Sequence, residues 1–133
     1  MNYFKKIFLI LLVPIILFAE VILNGSLLGR SDGNNIIISW KSSDESGLKQ
    51  FVVERKLFNA SSFVDLSTIK IKGSNSNYEF VDESAFKTSS SIYSYRVRIE
   101  MQNGTVNYSQ SLTISHHVSS VKRTWGSLKA MFK

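Results

Sequence analysis

YSYRVRIE, Tyr93 to Glu100, alternates without interruption. Successive side chains of an extended chain point to opposite faces. Tyr93, Tyr95, Val97 and Ile99 therefore share one face, and Ser94, Arg96, Arg98 and Glu100 share the other. A helix would mix the two sets, so the stretch predicts a half-buried strand. Downstream, Gln102-Asn103-Gly104 turns the chain, because Asn-Gly tolerates the positive φ of a tight hairpin. A last strand is expected over about Thr105–Ile114, with Leu112 and Ile114 inward.

Upstream the same pattern recurs between turn residues. Ile36, Ile38 and Trp40 alternate, and the polar loop Lys41–Gly47 follows. Leu48, Phe51 and Val53 lead the next strand, with Glu54 and Lys56 expected to face water. Phe63–Leu66 and Thr68–Lys72 read as short strands, and Tyr78 and Phe80 mark another. Val21–Leu28 reads as a ragged first strand broken at Asn24-Gly25, and Arg30–Asn35 as turn chemistry. Helix signals are absent from Glu20 to Ser115. The expectation is all-β: a single seven-stranded, immunoglobulin-like sandwich.

The strand ending in Ile38-Ser39-Trp40, the stretch FVVERK (Phe51–Lys56) and YSYRVRIE together resemble the fibronectin type III family, over about Val21 to Ser115. That resemblance implies Trp40 as the core tryptophan between the sheets. It makes Tyr93 the corner tyrosine, its hydroxyl bonding upstream backbone, and places Val97 in the core. The stretch Val81–Ile114 also resembles spacer or attachment modules near the C-termini of large exported bacterial proteins.

The front of the chain reads as an export signal. Lys5 and Lys6 precede the uninterrupted apolar run Ile7–Phe18, and Leu17-Phe18-Ala19 is an acceptable cleavage triplet. A bilayer span needs about 20 apolar residues, and Glu20 interrupts this run early. The alternative is an uncleaved anchor extended through Val21–Leu23. The organisation read from the sequence is a signal peptide (1–19), a sandwich (20–115), and a linker with a basic amphipathic tail (116–133). The chain has no cysteine, so packing alone must supply the stability of an exported domain. The expected location is periplasmic, cell-surface or extracellular, in a bacterial source.

The charge is unevenly spread. The chain holds 16 Lys and Arg against 10 Asp and Glu. Two of the bases lie in the leader and four in the tail, so the body is formally neutral. A neutral body argues against nucleic acid, which demands a positive footprint. His116-His117 point opposite ways on a strand and converge poorly on one metal, so they read as a linker pair. Asp44-Glu45 and Asp82-Glu83 lack the run of oxygen ligands of a calcium loop. No catalytic set stands out, and neither enzyme activity nor a cofactor is expected.

The tail VKRTWGSLKAMFK, Val121–Lys133, holds the excess charge in Lys122, Arg123, Lys129 and Lys133. At about 100° per residue Val121, Trp125, Leu128 and Phe132 gather on one side of a helix. Gly126 costs such a helix about 1 kcal/mol, and a helix this short is marginal alone. Three readings follow. The tail is a sorting or docking signal read by a protein at the cell envelope or surface, it lies on an anionic membrane, or it folds back over a sheet edge. The leading expectation is a non-enzymatic exported adhesion, interaction or structural module. The alternatives are a peripheral membrane protein held by the tail and a small carbohydrate-binding module using Phe58, Phe63 and Phe86. Open edge strands also permit self-association.

Overall fold

A computed structural model of the chain describes residues 20–87, 90–117 and 128–131. The strands run in the order β1 (Leu28–Ser31), β2 (Ile36–Lys41), β3 (Leu48–Leu57), β4 (Val64–Lys70), β5 (Asn77–Asp82), β6 (Ser90–Met101), β7 (Val106–Tyr108) and β8 (Leu112–His117). One 3₁₀ turn, Glu83–Lys87, separates β5 from β6. Two antiparallel sheets form. One has the order β1-β2-β5. The other has the order β4-β3-β6, with β7 and β8 sharing the far side of β6. The fold is all-β and sandwich-like, compatible with an immunoglobulin-like or fibronectin type III-like arrangement.

The alternating residues supply the core. Ile36, Ile38 and Trp40 from β2 meet Phe51 and Val53 from β3 and Tyr93, Tyr95, Val97 and Ile99 from β6, all buried. Trp40 stacks on Tyr78 at 5.4 Å, and Phe51 stands edge-on to both rings at 5.4 and 5.0 Å. Offset and edge-on pairs of this kind add about 0.5–1.5 kcal/mol each beyond area burial. The Trp40 indole N–H is buried without an acceptor among the described residues.

The strands number eight where seven are expected, and the expected last strand is split. Arg98 pairs with Tyr108, and Tyr95 pairs with Leu112. Three steps along β6 thus face four along its partner, which is a β-bulge of one extra residue. Ser109 makes the bulge. Its N–H donates to Val97 O at 2.9 Å, and its Oγ, in place of its carbonyl, accepts from Val97 N at 2.8 Å. The extra residue flips side-chain parity, so Asn107 faces the interior side in β7 while Leu112 and Ile114 do so in β8.

Three other boundaries move. The first strand forms at Leu28–Ser31, after the expected run, while residues 20–27 join the sheet only through an Ile22–Ser42 bridge. Gly25 has φ of +77°, and Ser26 Oγ donates to Leu23 O at 2.6 Å, which bends the chain there. The turn reduces to Asp32–Asn35, with Asp32 N donating to Asn35 O at 3.1 Å. The two short strands expected between Phe63 and Lys72 are one strand, β4, with a register irregularity in place of a break.

Gly29 decides how β1 meets the other sheet. A Cβ placed there would lie 2.4 Å from Ile114 Cδ1 and 3.1 Å from Ile38 Cδ1. The missing side chain lets Ile114 of β8 close over β1.

Candidate functional site

On the outer face of the larger sheet, β3 and β6 pair Val52 with Arg98 and Glu54 with Arg96. Glu54 does not face water: it is 4% exposed beneath the two arginines. Arg96 Nε donates to Glu54 at 2.5 Å, and Arg98 Nη1 donates to Glu54 and Asp65 at 2.8 Å each. Arg98 Nε also donates to Glu100 at 2.9 Å, and Gln50 donates to the same carboxylate at 2.7 Å. The Arg96 guanidinium is held between Phe63 and Tyr108, 4.0 Å from each ring centroid. The hydrogen bond from Arg98 holds the Asp65 carboxyl below its usual range, and those from Gln50 and Arg98 do the same for Glu100. Both arginines are therefore engaged by carboxylates, two positive charges set among the three negative ones of Glu54, Asp65 and Glu100.

A second polar cluster closes the end of β5. Asp82 accepts from Tyr95 Oη at 2.5 Å, Arg55 Nη1 at 2.6 Å and Ser84 Oγ at 2.6 Å. Burial alone would raise the Asp82 carboxyl, but the bonds from Ser84, Tyr95 and Arg55 outweigh it and hold it below its usual range. Burial, with the Asp82 charge beside it, pushes the Tyr95 hydroxyl up. Tyr95 thus ties β6 to β5 through Asp82, and Tyr93 packs beside it with Arg55 4.9 Å over its ring. A third cluster lies at the other end. Glu45 is buried and accepts from Ser42 Oγ at 2.7 Å and Tyr78 Oη at 2.8 Å, tying its loop to β5. Buried polar groups must be satisfied to be tolerated, and these carboxylates are committed to that task.

The histidines occupy the ladder, where a linker is expected from the sequence. Strand β8 runs through His117, and His116 is fully buried. Ser31 Oγ and His116 Nδ1 share a hydrogen bond of 2.7 Å across 85 residues of sequence. With the imidazole buried, the pair ties β1 to β8 and offers no base to solvent. Among the described residues no group of three or more His, Asp or Glu is placed to hold a metal, and no helix is long and apolar enough to cross a membrane.

A groove of about 550 Å³ lies between residues 20–27 and β7. Its floor is apolar, from Ile22, Leu27, Ile99 and Met101, and among the described residues Glu20 is its only charged lining residue. The two walls are edges of different sheets. Residues 20–27 spend their backbone bonds on the other side, with Leu23 N donating to Lys41 O and Ser43 N to Val21 O, both at 2.8 Å. On the opposite wall, Met101 N donates to Thr105 O and Ser109 N to Val97 O, both at 2.9 Å. Bonded pairs alternate along an antiparallel ladder, so Asn107 bonds Ile99 while the N–H and C=O of Val106 and Tyr108 point away from β6. Among the described residues the groove is therefore bordered by an open strand edge. Nothing in the periodicity marked it beyond the Asn24-Gly25 break.

The sequence-predicted residues fall as follows. Trp40, Tyr93 and Val97 are buried in the core, at 2%, 4% and 0% exposure. Phe58 is exposed, Phe63 lies under Arg96, and the side chain of Phe86 lies outside the described part. In the tail, residues 128–130 form one helical turn, and Leu128 and Met131 are 41% and 78% exposed. Lys129 is exposed on the same turn. Lys122, Arg123, Trp125, Phe132 and Lys133 lie outside the described residues, as does the leader, residues 1–19. In comparisons with known proteins, no family model matches the chain and no curated protein does.

Proposed function

We propose that this chain is a non-enzymatic, exported interaction module built on a fibronectin type III-like sandwich. Its partner is a protein at the cell envelope or surface, and its basic tail serves sorting or docking. The observation that carries this reading is the contrast between the polar clusters and the groove. The carboxylates at Glu45, Glu54 and Asp82 are buried and engaged in the frame. The groove beside β7 has an apolar floor and an unpaired backbone edge, the features with which sheet proteins take up other chains. Deleting Val121–Lys133 is expected to leave the circular dichroism and melting of the domain unchanged while the protein leaves its normal cell fraction. An unchanged distribution between surface, periplasm and medium would refute the tail's role.

A second reading rests on Leu128 and Met131, which stand exposed on the helical turn beside Lys129. Such a turn can lie on an anionic membrane with its lysines at the head groups. Liposome flotation that requires anionic lipid and falls with salt would favour it over a protein receptor.

A further inference from the structure

We propose, building on the interaction-module reading, that the groove receives the tail of a second copy of this chain, with Val121–Trp125 added as a strand along β7. The occupant is indicated by edge, charge and reach. Val106 and Tyr108 offer outward N–H and C=O groups two residues apart, which an extended segment can pair with. Val121-Lys122-Arg123-Thr124-Trp125 is extended-prone, with two β-branched residues and an aromatic in five. Val121, Arg123 and Trp125 share one face of such a strand, so two apolar side chains reach the floor of Ile22, Leu27, Ile99 and Met101. Arg123 between them meets Glu20, the one acidic side chain lining the groove among the described residues. The tail has four basic residues and no acidic one, against a single acidic side chain in the groove lining.

Chain length makes the docking intermolecular. Strand β8 ends at His117, opposite Ser90, whereas Asn107 at the centre of β7 lies opposite Ile99. Nine residues of β6 at about 3.3 Å each separate the two levels by roughly 30 Å. From His117 to Arg123 is six residues, at most about 22 Å when fully extended. The direct path is also occupied, because β1 closes onto β8 between the two points. The end of β8 and the groove therefore lie toward opposite ends of the sandwich. Tail-to-groove contact is heterologous, and repeating it gives a ring where the rotation closes and an open row of copies where it does not.

The test uses the intact exported chain. Sedimentation should show a mass that rises with protein concentration, and an excess of the free peptide Val121–Lys133 should return it to monomer. Leu23→Lys, on the exposed part of the groove wall, should raise the concentration for half-assembly at least tenfold. Val81→Lys, on the other sheet, should not. Glu20→Lys and Arg123→Glu should each weaken assembly, and the two together should restore it. A monomer at every concentration, or assembly indifferent to both Leu23→Lys and the free peptide, overturns the proposal. So does failure of the charge swap to rescue when both single variants weaken assembly. If the chain stays monomeric yet tail deletion still moves it to another cell fraction, self-docking is refuted and the interaction-module reading stands.

Discussion

One seam of the sandwich ends in two ways. Residues 20–31 run along the edge of one sheet, and β7 followed by β8 runs along the edge of the other. In the half where β1 faces β8, the edges close. Ile114 fills the space that Gly29 leaves, and Ser31 shares a hydrogen bond with His116. In the half where residues 20–27 face β7, the edges stay apart and leave the groove. The change falls at the Gly25–Ser26 bend on one side and at the Ser109 bulge on the other. Closing a sheet edge here takes one missing side chain, one branched side chain to replace it and one polar tie. Where those are absent, the backbone edge is left available to another chain.

The largest effect should come from emptying the closed half. Ile114→Ala removes a buried side chain and should lower stability by roughly 2–3 kcal/mol, measured by denaturant unfolding. Leu23→Ala, on the exposed groove wall, should stay within about 0.5 kcal/mol. Equal losses would show the two halves to be packed alike. Next come the glycines. Gly29→Ala pushes a Cβ into Ile114 and should cost about 1–3 kcal/mol by overpacking. Gly25→Ala meets nothing within 4 Å, but its φ of +77° should cost about 1–2 kcal/mol for a left-handed L-residue. The double variant Gly29→Ala with Ile114→Val should recover part of the first loss and leave the second unaffected.

The same contrast explains what the sequence shows of the fold. Strand β6 is legible because its two faces meet different surroundings, and Tyr93 to Glu100 record that residue by residue. Strand β1 is not, because its inward contact is made through a glycine and its Arg30 and Ser31 read as turn chemistry. Glu54 misleads for a different reason. It sits on the outward side, but Arg96 and Arg98 from the neighbouring strand fold over it, and single-strand alternation carries no trace of cross-strand cover. The Ser31–His116 tie joins positions 85 residues apart. The groove is a property of two unpaired edges, and no residue type marks it. The charge of the tail, by contrast, is plain from composition alone.

A smaller effect is expected at the bulge that separates the halves. Ser109→Ala removes the Oγ that accepts from Val97 N. Leaving that buried-strand N–H unpaired should cost about 1 kcal/mol and speed amide exchange at Val97. If the Ser109 carbonyl instead swings into the ladder, β7 and β8 become one strand and exchange at Val97 slows. That result would show the side chain of Ser109 alone to hold the strand in two.

The smallest effect is electrostatic and confined to the closed half. Asp32 Oδ1 accepts from the backbone N–H groups of Asn35 at 2.6 Å and Asn34 at 2.9 Å, and these bonds hold its carboxyl below the usual range. A carboxyl whose folded pKa is depressed stabilises the fold fully above its unfolded value, about 3.9, and loses that contribution as pH falls through the folded value. Acidification through that window should therefore loosen the turn joining β1 to β2. The Asn34 and Asn35 amide resonances should titrate with a midpoint below 3.8, and β1–β2 cross-strand contacts should weaken with them. Asp32→Asn keeps an acceptor oxygen without the proton equilibrium, so its turn should be insensitive over the same range. Since β1 carries Gly29 and Ser31 into the closed half, a midpoint at or above the ordinary value would mean that the Asp32 turn bonds do not help hold β1 against β8.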